Sequence, residues 1–261
     1  MASGTAGLRR RLAKLLADAD RLSAPVAFWW RDDDAQDHTA ELDRLLRMAE
    51  ARRLPIALAV IPAGATQVLA RRLSGTGNAV VLQHGWQHKN HSPPEARASE
   101  VPENRPLDAI MRELAAGRRV LVEKFGERFI PVLVPPWNRL GDSVRHYRNQ
   151  AGLPVLSAFG PRRESDGACV NAHLDIIDWR SRAARDSAKA YATLCEEVER
   201  RLQGHSEPVG ILTHHLAHDE AAWSLLATLL EDLTGSPGAK WPPLDRLFGP
   251  PVVSVKRPAT A

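Results

Sequence analysis

Short apolar runs rich in β-branched residues alternate with stretches of helical periodicity along almost the whole chain. The runs are 25–30 (PVAFWW), 56–61 (IALAVI), 79–82 (AVVL), 131–134 (PVLV), 154–157 (PVLS), 173–177 (HLDII), 209–213 (VGILT) and 252–255 (VVSV). Each has the length of a strand buried on both faces rather than of a helix. Between them, 39–53, 64–73, 106–125, 141–151, 186–203 and 219–233 carry apolar residues at helical spacing. Such a succession implies an α/β fold whose parallel sheet is crossed by helices. Eight such units suit a closed (β/α) barrel better than an open sheet. The 261 residues match one barrel, and no repeat or break in composition marks a second unit. Residues 1–261 therefore read as a single domain, with an N-terminal helix over 7–22 packed on the barrel.

Charge and composition exclude several classes of function. Lys and Arg number 35 against 31 acidic residues, a net charge of only +4, and the basic residues are scattered. Without an aromatic-rich basic stripe, no nucleic-acid partner is expected. No apolar run approaches the ~20 residues of a membrane span. The first residues, MASGTAGLRRRLAKLLADADRL, have apolar runs too short for a secretory core, so the expected compartment is the cytoplasm. Cys169 and Cys195 form no metal or redox spacing and read as reduced packing residues. A Pro-rich insertion at 92–106 is of the kind that lines a site, and 161–172 reads as a loop. The oligomeric state is left open.

Polar residues gather where the strands end. RDDD follows the first run, QHGWQH the third, PPWN the fourth and HHLAHD the seventh. In a barrel these are the carboxyl ends of the strands, the face on which active sites are built. His84 and His88 stand four apart, a spacing that serves one metal ion or equally an ordinary polar loop. Asp32, Asp33 and Asp34 repel one another unless an arginine or a cation neutralises them. Arg31 serves in part and a divalent metal serves better; the alternative is an exposed acidic turn. One carboxylate with two histidines leaves open positions on a transition metal for water and substrate. The glutamate of HExxH metalloproteases is missing. A second pair, His214 and His218, has the same spacing, but His218 and Asp219 read as the start of the next helix. Trp29, Trp30 and Trp223 read as core, whereas Trp86 and Trp137 lie in site loops.

With these residues in order, the chain resembles the polysaccharide deacetylase (NodB-homology) family, as a divergent member, through five short motifs between residues 26 and 218. The resemblance implies a distorted (β/α) barrel of seven to eight strands. RDDDA matches the motif whose first aspartate is the base and whose second binds metal, giving Asp33 and Asp34, although Asp32 leaves a shift of one residue open. HGWQH supplies the metal ligands His84 and His88. VLVPPWN keeps the wall residues Pro136 and Trp137 but has Val134 where the family carries an arginine against the base. Arg31 or Arg139 is expected to replace it. DIIDW matches the fourth motif, with Asp175 or Asp178 orienting the acid. Leu212 and His214 match the fifth, His214 being the acid.

The resemblance thus implies a hydrolase that removes an acyl group, expected to be acetyl, from an amide nitrogen of a sugar or related small substrate. It implies a divalent transition metal, with zinc the expected ion, on Asp34, His84 and His88. Trp137, Pro136, Leu212, Trp86, Arg31 and Arg139 are the expected substrate-binding residues. Two alternatives stand beside it: a catalytically inactive, metal-dependent carbohydrate-binding barrel, and an amidohydrolase acting on a non-sugar C–N bond. Adjacent residues at a strand end face opposite ways, so His214 and His215 are not both expected at the barrel mouth.

Overall fold

The computed structural model describes residues 2–250. Its elements follow in order as α1 (Ala2–Arg21), β1 (Val26–Ala35), α2 (Ala40–Ala51), β2 (Ile56–Val60), α3 (Gln67–Ser74), β3 (Ala79–His84), α4 (Leu107–Phe125) and β4 (Phe129–Val134). There follow α5 (Asp142–Tyr147), β5 (Val155–Leu156), β6 (Leu174–Asp175), β7 (Ile177–Asp178), β8 (Ala183–Ala184) and α6 (Ser187–Leu202). Then come β9 (Val209–Thr213), α7 (Glu220–Thr234), β10 (Ala239–Lys240) and α8 (Leu244–Phe248). Helices α2, α3, α6 and α7 begin where short polar side chains cap them. Thr39, Thr66, Asp186 and Asp219 accept the backbone N–H groups of Leu42, Leu69, Lys189 and Ala222.

The main sheet runs β5-β4-β3-β2-β1-β9-β6, every neighbouring pair parallel, with β10 added beside the start of β1. The segment expected as a loop over 161–172 brings its two edges together. Its second half is extended: Leu156 N–H donates to the Ala168 carbonyl at 3.0 Å and Val170 N–H to that of Leu156 at 2.9 Å. The same stretch runs on into β6, where His173 N–H meets the Gly210 carbonyl beside β9 at 2.7 Å. One irregular segment therefore serves both edges, and the result is a distorted (β/α) barrel.

Alternation along the strands sorts the core. Trp29, Ala57, Ala59, Leu82, Val132 and Val134 form one buried cluster inside the barrel, while Phe28, Trp30, Leu58, Val81, Leu133 and Ile211 join the larger cluster against the helices. The short helix α8 closes the amino-terminal end of the strands: Phe248 meets the Trp29 ring edge-on at 5.1 Å, and both belong to the inner cluster with Leu244. The N-terminal helix packs on the flank of the barrel along α6, with Leu12, Leu16 and Ala19 buried. Among the described residues, no helix is long and apolar enough to cross a membrane.

Several expected boundaries shift. β1 continues through the acidic triplet instead of ending before it, because buried partners satisfy those carboxylates, as described below. The expected strand at 173–177 breaks after Asp175; Ile177 and Asp178 pair antiparallel with Ala184 and Ala183 in a separate hairpin. The helix expected over 141–151 tightens after Tyr147 into a 3-10 turn, Arg148–Ala151. The run at 252–255 lies outside the described residues.

Candidate active site

Regular alternation would put Asp32 and Asp34 on one side of β1 and Asp33 on the other. Asp32 is the last β1 residue before the β2 register shifts, pairing with Leu58 of β2 and Thr213 of β9. Two residues later Asp34 is left-handed, with φ 72°. A non-glycine residue there is uncommon, and it turns Asp34 to the mouth of the barrel beside Asp33. Two of the three carboxylates thus share the mouth, and Asp32 faces the helices.

Asp33 is buried with Arg31, which is also fully buried. Arg31 Nε lies 2.8 Å from Asp33 Oδ1, and Nη2 donates to Asp33 Oδ2 at 3.1 Å and to Asn138 Oδ1 at 2.6 Å. Nη1 reaches across the barrel to the Ser157 carbonyl, the Ser157 hydroxyl and the Ala158 carbonyl at 3.0, 2.8 and 3.1 Å. Leaving such a carboxylate unpaired would cost several kcal/mol. Arg31 therefore stands against Asp33, the place for which Arg31 and Arg139 were alternatives. Arg139 is elsewhere, donating to the Ala98 carbonyl at 3.1 Å.

Asp34, His84 and His88 offer one ligand atom each, all within 4.8 Å of one another. Asp34 Oδ1 lies 3.1 Å from His84 Nε2 and 3.3 Å from His88 Nε2. That oxygen is buried without a hydrogen-bond partner, as expected where lone pairs face a common centre. The Val134 carbonyl, 3.0 Å from His84 Nδ1, accepts its N–H and leaves Nε2 free to ligate. A carboxylate with two imidazoles, oriented from outside, fits a divalent transition metal. Burial pushes the Asp34 carboxyl up, but His84, His214 and His88 outweigh it and hold the group below the usual carboxylate range. Burial disfavours a charged His84, yet Asp33 and Asp34 raise it overall; burial and His84 push His88 down.

The turn between the histidines depends on a residue with no signal in the sequence. Glu100, buried within the Pro-rich insertion, accepts the N–H groups of Trp86 at 2.9 Å and Gln87 at 2.6 Å. Gly85 has φ 56°, and a Cβ there would stand 1.9 Å from Glu100 Oε2 and 2.7 Å from Pro136 Cδ. His88 itself has φ 57° and packs on Trp137, ring centroids 4.3 Å apart. Trp137 and Asn138 are left-handed too, at 55° and 57°. Positive φ therefore gathers around the mouth, in Asp34, Gly85, His88, Trp137 and Asn138.

His214 stands opposite. Its Nε2 is 3.9 Å from Asp33 Oδ2 and its Nδ1 3.9 Å from Asp175 Oδ1. Asp175 is fixed by the Ile177 N–H at 2.9 Å and the Trp179 indole at 2.7 Å. Burial raises the Asp175 carboxyl above its ordinary range, against the pull of His214 and those two donors. The Trp179 ring meets His214 edge-on at 4.6 Å and is half exposed. In the sequence Trp179 only completes the DIIDW motif, and no pattern there singles out Asn138 or Ser157.

Not every expected residue arrives. Asp178 makes no ion pair with His214; its Oδ1 accepts the Arg180 N–H at 3.0 Å, because the hairpin carries it away from β6. Leu212 and Pro136 are buried, Leu212 with no exposed surface, and Trp86 and Trp137 are half-buried at the rim. His215 faces away from the mouth, bonded to Asp32.

No protein-family model matches the chain, and no curated protein matches its sequence. Solved structures do match. A protein from Mycobacterium smegmatis assigned as a polysaccharide deacetylase superimposes with a TM-score of 0.60 at 13% identity, covering 90% of this chain and 94% of the other. A family 4 acetyl xylan esterase from Clostridium thermocellum, in complex with a cobalt ion, gives 0.55 at 17% identity over 88% and 96%. The peptidoglycan deacetylase PdaC from Bacillus subtilis gives 0.53 at 14% identity over 85% and 90%. The fold is that of the polysaccharide deacetylases, shared at 13–17% sequence identity with these structures.

Proposed function

We propose that this chain, built on the polysaccharide deacetylase fold, is a metal-dependent hydrolase that releases an acyl group, acetyl in the first instance, from an amide nitrogen. One observation carries the reading. The donors of Asp34, His84 and His88 converge beside a carboxylate held by a buried arginine, with an imidazole facing that carboxylate from across the mouth. A divalent cation on those three ligands, for which zinc is our choice, would supply Lewis acidity toward an acyl oxygen and a water molecule.

The protein's own groups do the rest. Asp33, its orientation set by Arg31, which Asn138 and Ser157 hold in turn, takes the proton of the attacking water. His214 gives a proton to the departing nitrogen, which leaves poorly until protonated, and Asp175 orients the opposite side of the imidazole. Trp137 and Trp179 wall the mouth. A binding barrel without catalysis would need neither the Arg31–Asp33 pair nor His214, so the active reading is the stronger one. A non-sugar amide would need the same groups and differs only in what the rim accepts.

The substrate we propose is a small N-acylated sugar or glycoconjugate met in the cytoplasm; the free thiols of Cys169 and Cys195 suit a reducing compartment. Acetate release by metal-loaded protein from N-acetylated monosaccharides, nucleotide-linked sugars, chitin oligomers and acetylated xylan tests this. Release from the small N-acetylated compounds is expected. Turnover only of long oligomers, rising with length, would reject the substrate class, and no release from any compound would reject the activity.

A further inference from the structure

Behind the mouth lies a second histidine–aspartate pair that the proposed chemistry does not use. Asp32 and His215 are both buried, on the helix-facing side of the strands, and His215 Nδ1 donates to Asp32 Oδ1 at 2.5 Å. Asp32 Oδ2 accepts the His215 backbone N–H at 3.0 Å and the Thr213 hydroxyl at 2.6 Å. Thr213 in turn accepts the Trp30 indole N–H at 2.9 Å. Both carboxylate oxygens of Asp32 and the Nδ1 of His215 are thereby satisfied in a buried place where an unpartnered polar atom would be costly.

Its position in the chain gives the pair its consequence. Asp32 directly precedes Asp33, and His215 directly follows His214. The β1–β9 register ends at the Asp32–Thr213 match, so no ladder bond holds His214. After it the chain enters a 3-10 turn, His215–Ala217. The Asp32 carboxylate takes the place of the missing ladder by binding the main chain and the ring of the next residue. We infer that Asp32 and His215, which face away from the substrate side, are a positioning pair that sets Asp33 and His214 relative to each other. The kinetic part of this inference rests on the function proposed above; the structural part does not.

Asp32→Asn, His215→Ala and His215→Gln test it, the last because its amide N–H can still donate to Asp32. In metal-free protein, amide exchange at His215–Ala217 is expected to accelerate about tenfold or more in Asp32→Asn and His215→Ala, and less in His215→Gln. Zinc affinity is expected to stay at the wild-type value in all three. In the loaded enzyme kcat is expected to fall ~10²-fold in the first two variants at unchanged KM, as for a small misplacement of reacting groups. His215→Gln is expected to restore part of that loss. A purely structural pair would lower Tm without this kcat-against-KM split. Wild-type exchange and wild-type kcat in folded Asp32→Asn would overturn the inference, as would kcat falling only in proportion to zinc. If Asp32→Asn does not fold, the two His215 variants decide by the same criteria. An inactive wild type would reject the proposed function, and the exchange rates would still judge the pair.

Discussion

The two ends of the barrel are built on opposite terms. At the amino-terminal end, Phe248 and Leu244 of α8 sit against Trp29 and its neighbours in an apolar cluster. At the carboxyl end, Arg31, Asp32, Asp33, His84 and His215 are buried, and left-handed backbone recurs at Asp34, His88, Trp137 and Asn138. Burial of apolar surface stabilises the first end; buried charge and left-handed φ cost stability at the second unless each group is matched. The mouth is thus where the fold spends stability on placing polar atoms.

Substitutions at the two ends should separate cleanly. Asp33→Asn keeps the side chain's shape, so it is expected to lower turnover by ~10²- to ~10⁴-fold with full metal content, read by acetate release beside elemental analysis. Phe248→Ala at the other end is expected to cost ~3–5 kcal/mol of stability in denaturant unfolding, with zinc affinity unchanged. A large loss of zinc binding in Phe248→Ala would mean the ends are not independent. Glu100→Gln, which weakens the hold on the Trp86–Gln87 turn, is expected to lower zinc affinity ~10-fold by titration calorimetry while leaving the unfolding midpoint of the metal-free protein nearly unchanged.

The last effect is a pH slope. Burial, reinforced by His215 and His214 against the pull of Asp32, lowers His218 from 6.5 to about 4, and neither of its ring nitrogens has a hydrogen-bond partner among the described residues. The folded protein therefore binds fewer protons than the unfolded chain between these values. Stability from this group is full above pH 6.5 and is lost as pH falls toward about 4. His218→Gln is expected to flatten that part of the unfolding profile. An unchanged slope would remove His218 from the account.

The barrel was legible because apolar runs and helical periodicity follow from burial, which each residue expresses locally. His84 and His88 were legible for another reason: they lie on one short turn. The choice among Asp32, Asp33 and Asp34 was not, since it hangs on one left-handed φ at Asp34 and on the partners of Asp32 at the end of β9 and in the turn after it, about 180 residues away in the chain. Glu100 was hidden because its ligands are backbone N–H groups, which no side-chain pattern reports. Asp178 misled because its spacing matched, while the hairpin after β6 turns it from the mouth.

Zinc titration into metal-stripped wild type, Asp33→Asn and Asp34→Asn, side by side, tests the central claim most directly. The account predicts one equivalent bound by wild type and by Asp33→Asn, and binding weakened or lost in Asp34→Asn. Equal binding by all three, or loss in Asp33→Asn with retention in Asp34→Asn, would contradict it.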